Sequence, residues 1–220
     1  MIVTIDGPAG SGKSTAARAL AEAMGISYLE SGATYRAVTL KAMREGADWD
    51  DEAVLVEIAR RADVRLIQKP DGLAVMLDGR DVTREIRSPE VTENSHHMAR
   101  SGPVRKVIAA LLRRIGEGLG EFVSEGRDQG SVVFPEASPK FYLDASPEVR
   151  ARRRCEQMLA DGRQADYEQV LRAVVRRDER DRNRAVSPLI KPAGAIEIDT
   201  TGKTVAQTVA EMLAYVEARR

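Results

Sequence analysis

The chain has 220 residues, 43% of them hydrophobic, enough to bury the core of one domain carrying a small insert. Lys and Arg number 34, as do Asp and Glu, so no net positive field draws the chain toward nucleic acid or an anionic membrane, and any basic function has to be local. There is no run of 18 apolar residues for a membrane span and no basic, cleavable start behind Met1. The lone Cys155 has no partner for a disulfide or a Cys-x-x-Cys metal site, which suits a reducing cytoplasm, and a monomer is the default expectation.

Met1 to Asp6 (MIVTID) is an apolar, β-branched run that predicts a strand; a Gly-rich turn follows, and Ser14 to Met24 predicts a helix stopped by Gly25. Ile26 to Leu29 predicts a second strand. Ser31 and Gly32 then open a helical pattern through Tyr35, Val38, Leu40 and Met43 that ends near Gly46, and Asp50 to Ala62 predicts another helix. From Asp63 to Ser88 the period changes to two. Val64 and Leu66 alternate, Pro70-Asp71-Gly72 turns the chain, Leu73, Val75 and Leu77 alternate again, and Asp78-Gly79 turns it once more, which predicts a three-stranded antiparallel insert.

Val91 to Gly116 returns to helical spacing, while Glu121 to Glu125 and Lys140 to Asp144 have the composition of buried strands. Pro147 to Leu159 and Tyr167 to Asn183 predict two long helices, and Ala195 to Asp199 a last strand. Thr204 to Ala218 predicts an amphipathic helix with Val205, Val209, Leu213 and Val216 on one side. Strands separated by helices give an α/β class: a parallel sheet flanked by helices, with residues 63–90 as the strand insert of a single domain spanning 1–220.

Gly7-Pro8-Ala9-Gly10-Ser11-Gly12-Lys13-Ser14, followed by Thr15, fits GxxxxGK[ST] and sits where that pattern has a mechanism, between a strand and a helix. Glycines let consecutive backbone N–H groups wrap a phosphate, and the helix N-terminus adds its positive dipole end. Lys13 can neutralise the β- and γ-phosphates of ATP, and the Ser14 hydroxyl can ligate Mg²⁺. A flexible Gly-Ser turn with an accidental lysine would not need the flanking strand and helix.

Transfer to a phosphate acceptor needs no general base, because the attacking oxygen is already ionised; it needs charge neutralised and held in place. Between Arg150 and Arg184 there are 11 Arg, no Lys and 7 acidic residues. Arg177, Asp181 and Arg184 share one helix face, while Arg150, Arg153 and Arg154 share a face of the helix before, across the Asp161-Gly162 break. Residues 147–184 therefore read as a pair of lid helices bringing Arg153, Arg154 and Arg184 to the transferring phosphoryl group. The bland alternative is a solvated pair of helices stitched by i,i+4 ion pairs such as Arg177 with Asp181. His96 and His97, adjacent on a helix, point about 100° apart and read as surface or pocket-rim residues rather than metal ligands, and Trp49 as the cover of a helix end.

Nearly the whole chain resembles the bacterial cytidylate kinases, a family of nucleoside-monophosphate kinases. The likeness is carried by IDGPAGSGKST, LESGATYRAV from Leu29, REIRSPEV, PVRKVI from Pro103, EGRDQGSVVFP from Glu125 and RDERDRNRAVSPL from Arg177. The resemblance implies a P-loop kinase that passes the γ-phosphoryl group of ATP to CMP, and to dCMP, with Mg²⁺ and without nucleic-acid or membrane partners. It implies that Arg36, Arg127 and Arg184 hold the acceptor phosphate, that Arg105 and Asp128 read the cytosine edge, that Arg177 and Asp181 reach the ribose, and that Ser31 and Tyr35 line the same pocket. The chain departs from the family at three places: His96 stands where a serine usually contacts the base, Glu125 replaces a common Asp, and Gln129 replaces an apolar residue.

Other classes fit the residues less well. A kinase of another monophosphate or of shikimate lacks a use for the Arg105, Asp128, Asp181 and Arg184 set. A nucleotide switch would need a water-positioning residue and a switch loop, and a nucleic-acid binder would need stacking platforms, whereas aromatics are only 4%.

Overall fold

A computed structural model describes residues 1–69 and 72–218. The chain runs β1 (Ile2–Asp6), α1 (Lys13–Met24), β2 (Ser27–Glu30), α2 (Ser31–Arg44), α3 (Glu52–Arg61), β3 (Val64–Lys69), β4 (Gly72–Leu77), β5 (Arg80–Asp81), α4 (Pro89–Arg100), α5 (Gly102–Leu119), β6 (Phe122–Gly126), β7 (Lys140–Asp144), α6 (Pro147–Ala160), α7 (Tyr167–Arg182), β8 (Ile196–Asp199) and α8 (Val205–Glu217). It divides into two compact units, Met1–Ile26 with Val123–Arg220, and Ser27–Phe122. No helix among the described residues is long and apolar enough to cross a membrane.

In the first unit the strands lie in the order β6-β1-β7-β8. β1 pairs parallel with β7, Ile5 opposite Phe141, and β7 pairs parallel with β8, Leu143 opposite Ile198. Val3, Ile5, Phe141, Leu143 and Ile198 are buried, as near-continuous apolar strands covered on both faces should be. α1 packs against α8, burying Ala16, Ala17, Leu20 and Ala21 on its inner side, and Gly25 ends α1 in the left-handed conformation its sequence position predicts. Thr204 and Gln207 close a capping box at the start of α8. The buried stripe of α8 is Thr208, Val209, Met212 and Val216; Val205 is exposed and Leu213 only half-buried, so the predicted face is rotated by about one residue. α6 and α7 form a hairpin with a small core of its own, Ala151, Val170 and Val174, against which Cys155 packs.

In the second unit the insert is three-stranded and antiparallel, β3-β4-β5, with Leu66 opposite Val75 and Val64 opposite Leu77. The turn predicted at Pro70-Asp71 lies outside the described residues. Asp78-Gly79 forms the other turn with both φ angles positive, the geometry that makes Asp-Gly a hairpin signal. The helical spacing from Val91 to Gly116 proves to be two helices. α4 stops at Arg100; Ser101, in extended conformation, then caps α5 by accepting from Val104 N at 3.2 Å, with Pro103 in the first turn. Pro103 lacks an N–H and cannot sit in a helix interior, so the break was written in Ser-Gly-Pro.

Candidate active site

The loop from Gly7 to Lys13 wraps between the end of β1 and the start of α1. Gly7, Gly10 and Gly12 have φ of 146°, 79° and 87°. At Gly7 the requirement is also steric, since a Cβ there would fall 2.0 Å from the Leu143 carbonyl oxygen. Three of the loop carbonyls are held by side-chain donors. Pro8 O accepts from Ser11 Oγ at 3.1 Å and from Lys13 Nζ at 2.6 Å, Ala9 O from Arg150 Nη1 at 3.1 Å, and Ser11 O from Thr200 Oγ1 at 3.0 Å. Lys13 is 4% exposed. Burial first, then the Arg127 guanidinium, lower its pKa to about 7, while Glu125 and Asp6 pull the other way. Beside it Ser14 Oγ donates to Glu125 Oε1 at 3.0 Å, placing a hydroxyl and a carboxylate together at the first turn of α1, a hard-oxygen pair that suits a cation such as Mg²⁺.

Around this loop stands a charged cluster of the same unit. Asp181 accepts from Arg127 Nε at 3.0 Å with one oxygen and from Arg184 with the other. Burial alone would raise the Asp181 pKa, but Arg127, Arg184 and Arg177 together hold it below the ordinary aspartate range. Arg177 reaches solvent at its surface, yet desolvation by the protein around it and then the charge of Arg127 lower its pKa to about 10; it stays charged at neutral pH. Arg153 grips Thr200, Nη1 to Oγ1 at 3.1 Å and Nη2 to the carbonyl at 2.6 Å, and Arg154 is exposed, bonded to Gln157.

Residues 129–133 form a single π-helical turn after Arg127 and Asp128. Its first amides are held by Asp6, which accepts from Gln129 N at 2.8 Å and Gly130 N at 2.7 Å. Complete burial raises the Asp6 pKa to about 6 despite those two bonds. Gln129 is fully buried yet satisfied: its side-chain oxygen accepts from Ser124 Oγ at 2.8 Å and its nitrogen faces Asp128 Oδ1 at 3.4 Å, which explains how a polar residue occupies an otherwise apolar position.

In the second unit Glu30, at the end of β2, is buried and takes Arg36 on one oxygen and Arg87 Nη2 on the other at 3.1 Å. Burial would raise its pKa, but Arg36 and Arg87 overcome that and hold it below the usual glutamate range. The first two turns of α2 carry Ser31, Tyr35 and Arg36, and the Arg105 guanidinium lies over the Tyr35 ring at 5.5 Å from its centroid while donating to Ala99 O. His96 is exposed, its Nδ1 against Glu93 O at 2.7 Å. It tilts over His97 at 4.0 Å, and His97 stacks on Trp49 at 4.8 Å. Trp49 thus covers an imidazole of α4.

The family model for cytidylate kinase matches residues 3–218. The chain belongs to the cytidylate kinase family. A curated cytidylate kinase of Desulforamulus reducens is 46% identical over 217 residues, covering 98% of this chain and 96% of that one. That of Vibrio cholerae is 40% identical over 218 residues, covering 99% and 96%. Among solved structures, an uncharacterized protein from Eubacterium ventriosum has the same fold at a TM-score of 0.50 and 13% identity, covering 99% of this chain and 98% of that chain.

Against the positions that the cytidylate kinase motifs name, the first unit gathers Lys13, Ser14, Arg127, Asp128, Arg177, Asp181 and Arg184 on the loop, the end of β6 and the end of α7. The second unit gathers Ser31, Tyr35, Arg36 and Arg105. Arg177 and Asp181, weighed as an i,i+4 pair, are instead neighbours in a network in which Arg127 and Arg184 donate the hydrogen bonds to Asp181. Arg150, grouped by helical spacing with Arg153 and Arg154, is 1% exposed and turned inward. Four residues escaped sequence reasoning: Asp6, Glu30, Asp178 and Thr200. Asp6 alone had a local signal, a carboxylate closing an apolar strand directly before the glycine loop.

Proposed function

We propose that this chain carries out its family's reaction, transfer of the γ-phosphoryl group of ATP to CMP giving CDP and ADP, with dCMP accepted by the same chemistry, and that the residues above divide the work. The Gly7 to Thr15 loop binds the ATP phosphates through its N–H groups and the α1 N-terminus. Lys13, Arg127 and Arg184 neutralise the charge on the transferring group, joined by Arg153 and Arg154 as α6 and α7, residues 147–184, act as a lid. Mg²⁺, held through Ser14 with Glu125 ordering its waters, would offset charge between the β- and γ-phosphates. Arg36, Arg127 and Arg184 take the acceptor phosphate, Arg105 and Asp128 the cytosine edge, Arg177 and Asp181 the ribose, and Ser31, Tyr35 and His96 line the nucleoside pocket.

The observation that carries this reading is the placement of Arg127 and Arg184 on one carboxylate, Asp181, with Arg127 acting electrostatically on Lys13. An ionised phosphate acceptor needs such a cationic clamp and no base. Balanced charge and scarce aromatics support a protein that works on small nucleotides and not on nucleic acid, as a cytoplasmic monomer acting in pyrimidine metabolism, with residues 63–90 on the acceptor side. A coupled assay of ADP formation with CMP, dCMP, UMP, AMP and GMP tests it: CMP and dCMP should lead by kcat/KM, and faster turnover of AMP than of CMP would reject the assignment.

A further inference from the structure

Arg150 is among the largest fully buried side chains of the protein, and it is a cation. Its guanidinium makes a two-pronged pair with Asp178 of α7, Nη1 to Oδ1 at 3.0 Å and Nη2 to Oδ2 at 2.5 Å. Two of its remaining N–H groups go to backbone: Nε to Ala145 O at 2.8 Å, just after β7, and Nη1 also to Ala9 O at 3.1 Å, inside the glycine loop. The stem is equally close, since a Cβ on Gly10 would stand 3.1 Å from the Arg150 Cβ. A buried charge pair of this kind is weak evidence for stability, because desolvation offsets most of its attraction. Its use has to be sought in what it orients.

In a trans peptide the C=O and the following N–H point in opposite directions, and the only cis bond among the described residues is Ser138-Pro139. Holding the Ala9 carbonyl toward Arg150 therefore aims the Gly10 N–H the other way. Thr200 does the same for the next-but-one peptide, since its grip on Ser11 O fixes the Gly12 N–H, and Arg153 in turn fixes Thr200. We propose that Arg150 is a positioning residue for phosphate binding: braced by Asp178, it pins the Ala9 carbonyl and so preorganises the loop's amides toward the triphosphate. Glycine-rich backbone left to itself would lose much of its anion affinity to ordering entropy, which this brace removes in advance. The brace also ties the loop to α6 and α7, the helices that carry Arg153, Arg154 and Arg177, with Arg184 just beyond the end of α7.

This inference rests on the reading of the loop as the ATP site, and the test separates the two. Two variants are needed: Arg150→Met with Asp178→Leu, which replaces the pair by apolar side chains and keeps the core filled, and Arg150→Lys, which keeps the charge opposite Asp178 but cannot span all the contacts of the fork. Isothermal titration with Mg·ATP and separately with CMP, together with hydrogen exchange of the loop peptide, gives the readout. Expected in both variants is an ATP dissociation constant raised about tenfold, the loss of one charge-assisted hydrogen bond, with CMP affinity within about threefold and faster exchange confined to the loop. ATP affinity unchanged in a folded variant, or equal losses for ATP and CMP, would overturn the proposal. Should the double variant fail to fold, Arg150→Lys decides alone. Failure of the wild-type protein to bind Mg·ATP would instead sink the functional reading itself.

Discussion

Lys13 donates from Nζ to the Pro8 carbonyl at 2.6 Å, closing the glycine loop on its own second peptide. The ammonium is buried and next to Arg127, and its pKa is lowered to about 7. A triphosphate arriving in the loop reverses the balance of charge around it and raises the pKa again. Above pH 7 the empty loop therefore holds a largely neutral lysine and the filled loop a charged one, so binding takes up a proton and ATP affinity falls as pH rises. Titration at pH 8 in two buffers of different ionisation enthalpy should reveal uptake of a large fraction of one proton, shrinking toward pH 6. Lys13→Ala should abolish that uptake and lower turnover by roughly a hundredfold or more while the fold persists. Equal heats in both buffers at pH 8 would show that Lys13 stays charged throughout.

Asp181 separates two guanidiniums that a phosphate clamp needs side by side. In Asp181→Asn the amide oxygen can accept from Arg127 or Arg184, while the NH₂ group faces the other donor. We expect the KM for CMP to rise about tenfold, with ATP affinity nearly unchanged, because a charge-assisted bond worth about 1.5–3 kcal/mol is lost on the acceptor side. An unaltered KM for CMP with only a lower Tm would reduce Asp181 to a structural role.

The parts of this site that could be read from the sequence are those whose chemistry is local. Gly7 to Ser14 announces itself because strand, loop and helix are contiguous, and Asp78-Gly79 because two residues suffice to define a hairpin turn. Arg150 shows the limit. Helical spacing places it beside Arg153 and Arg154, but spacing cannot say that a charged side chain turns inward, because its partner Asp178 lies 28 residues away on another helix. Glu30 was silent for the same reason: its two partners are Arg36 and Arg87, and only the packed unit brings Arg87 to it. The split between α4 and α5 is a different failure, since Ser101-Gly102-Pro103 is a cap signal that continuous apolar spacing on either side masked.

Gly7 tests whether the loop's seating on β7 matters to the fold. An alanine methyl would have to share space with the Leu143 carbonyl oxygen, and both groups are backbone-anchored. We expect Gly7→Ala to cost about 3 kcal/mol, a Tm lower by about 6–12 °C for a chain of this length. Gly25→Ala, at a left-handed helix cap with nothing near its Cβ, should cost only about 1 kcal/mol. Similar Tm losses in a thermal melt of the two variants would mean that positive φ, and not the contact with Leu143, sets the cost.

Glu30→Gln removes the charge that Arg36 and Arg87 share. The glutamine can still accept a hydrogen bond, but it leaves two guanidiniums facing one another across a neutral amide. Because Arg36 and Arg87 are partly exposed, solvent takes up much of the difference, and we expect a loss of about 1–3 kcal/mol at pH 7. The sign with pH follows from the direction of the shift. The folded carboxyl lies below its ordinary 4.5, so its contribution is full above that value and disappears as pH falls through the lower folded value. Tm measured from pH 7 down to pH 3 should therefore show wild type and variant converging in acid. A gap that stays constant across that range would assign the loss to packing around residue 30. Arg36 would lose its orienting partner as well, so the KM for CMP should rise several-fold in the variant while the dissociation constant for ATP holds.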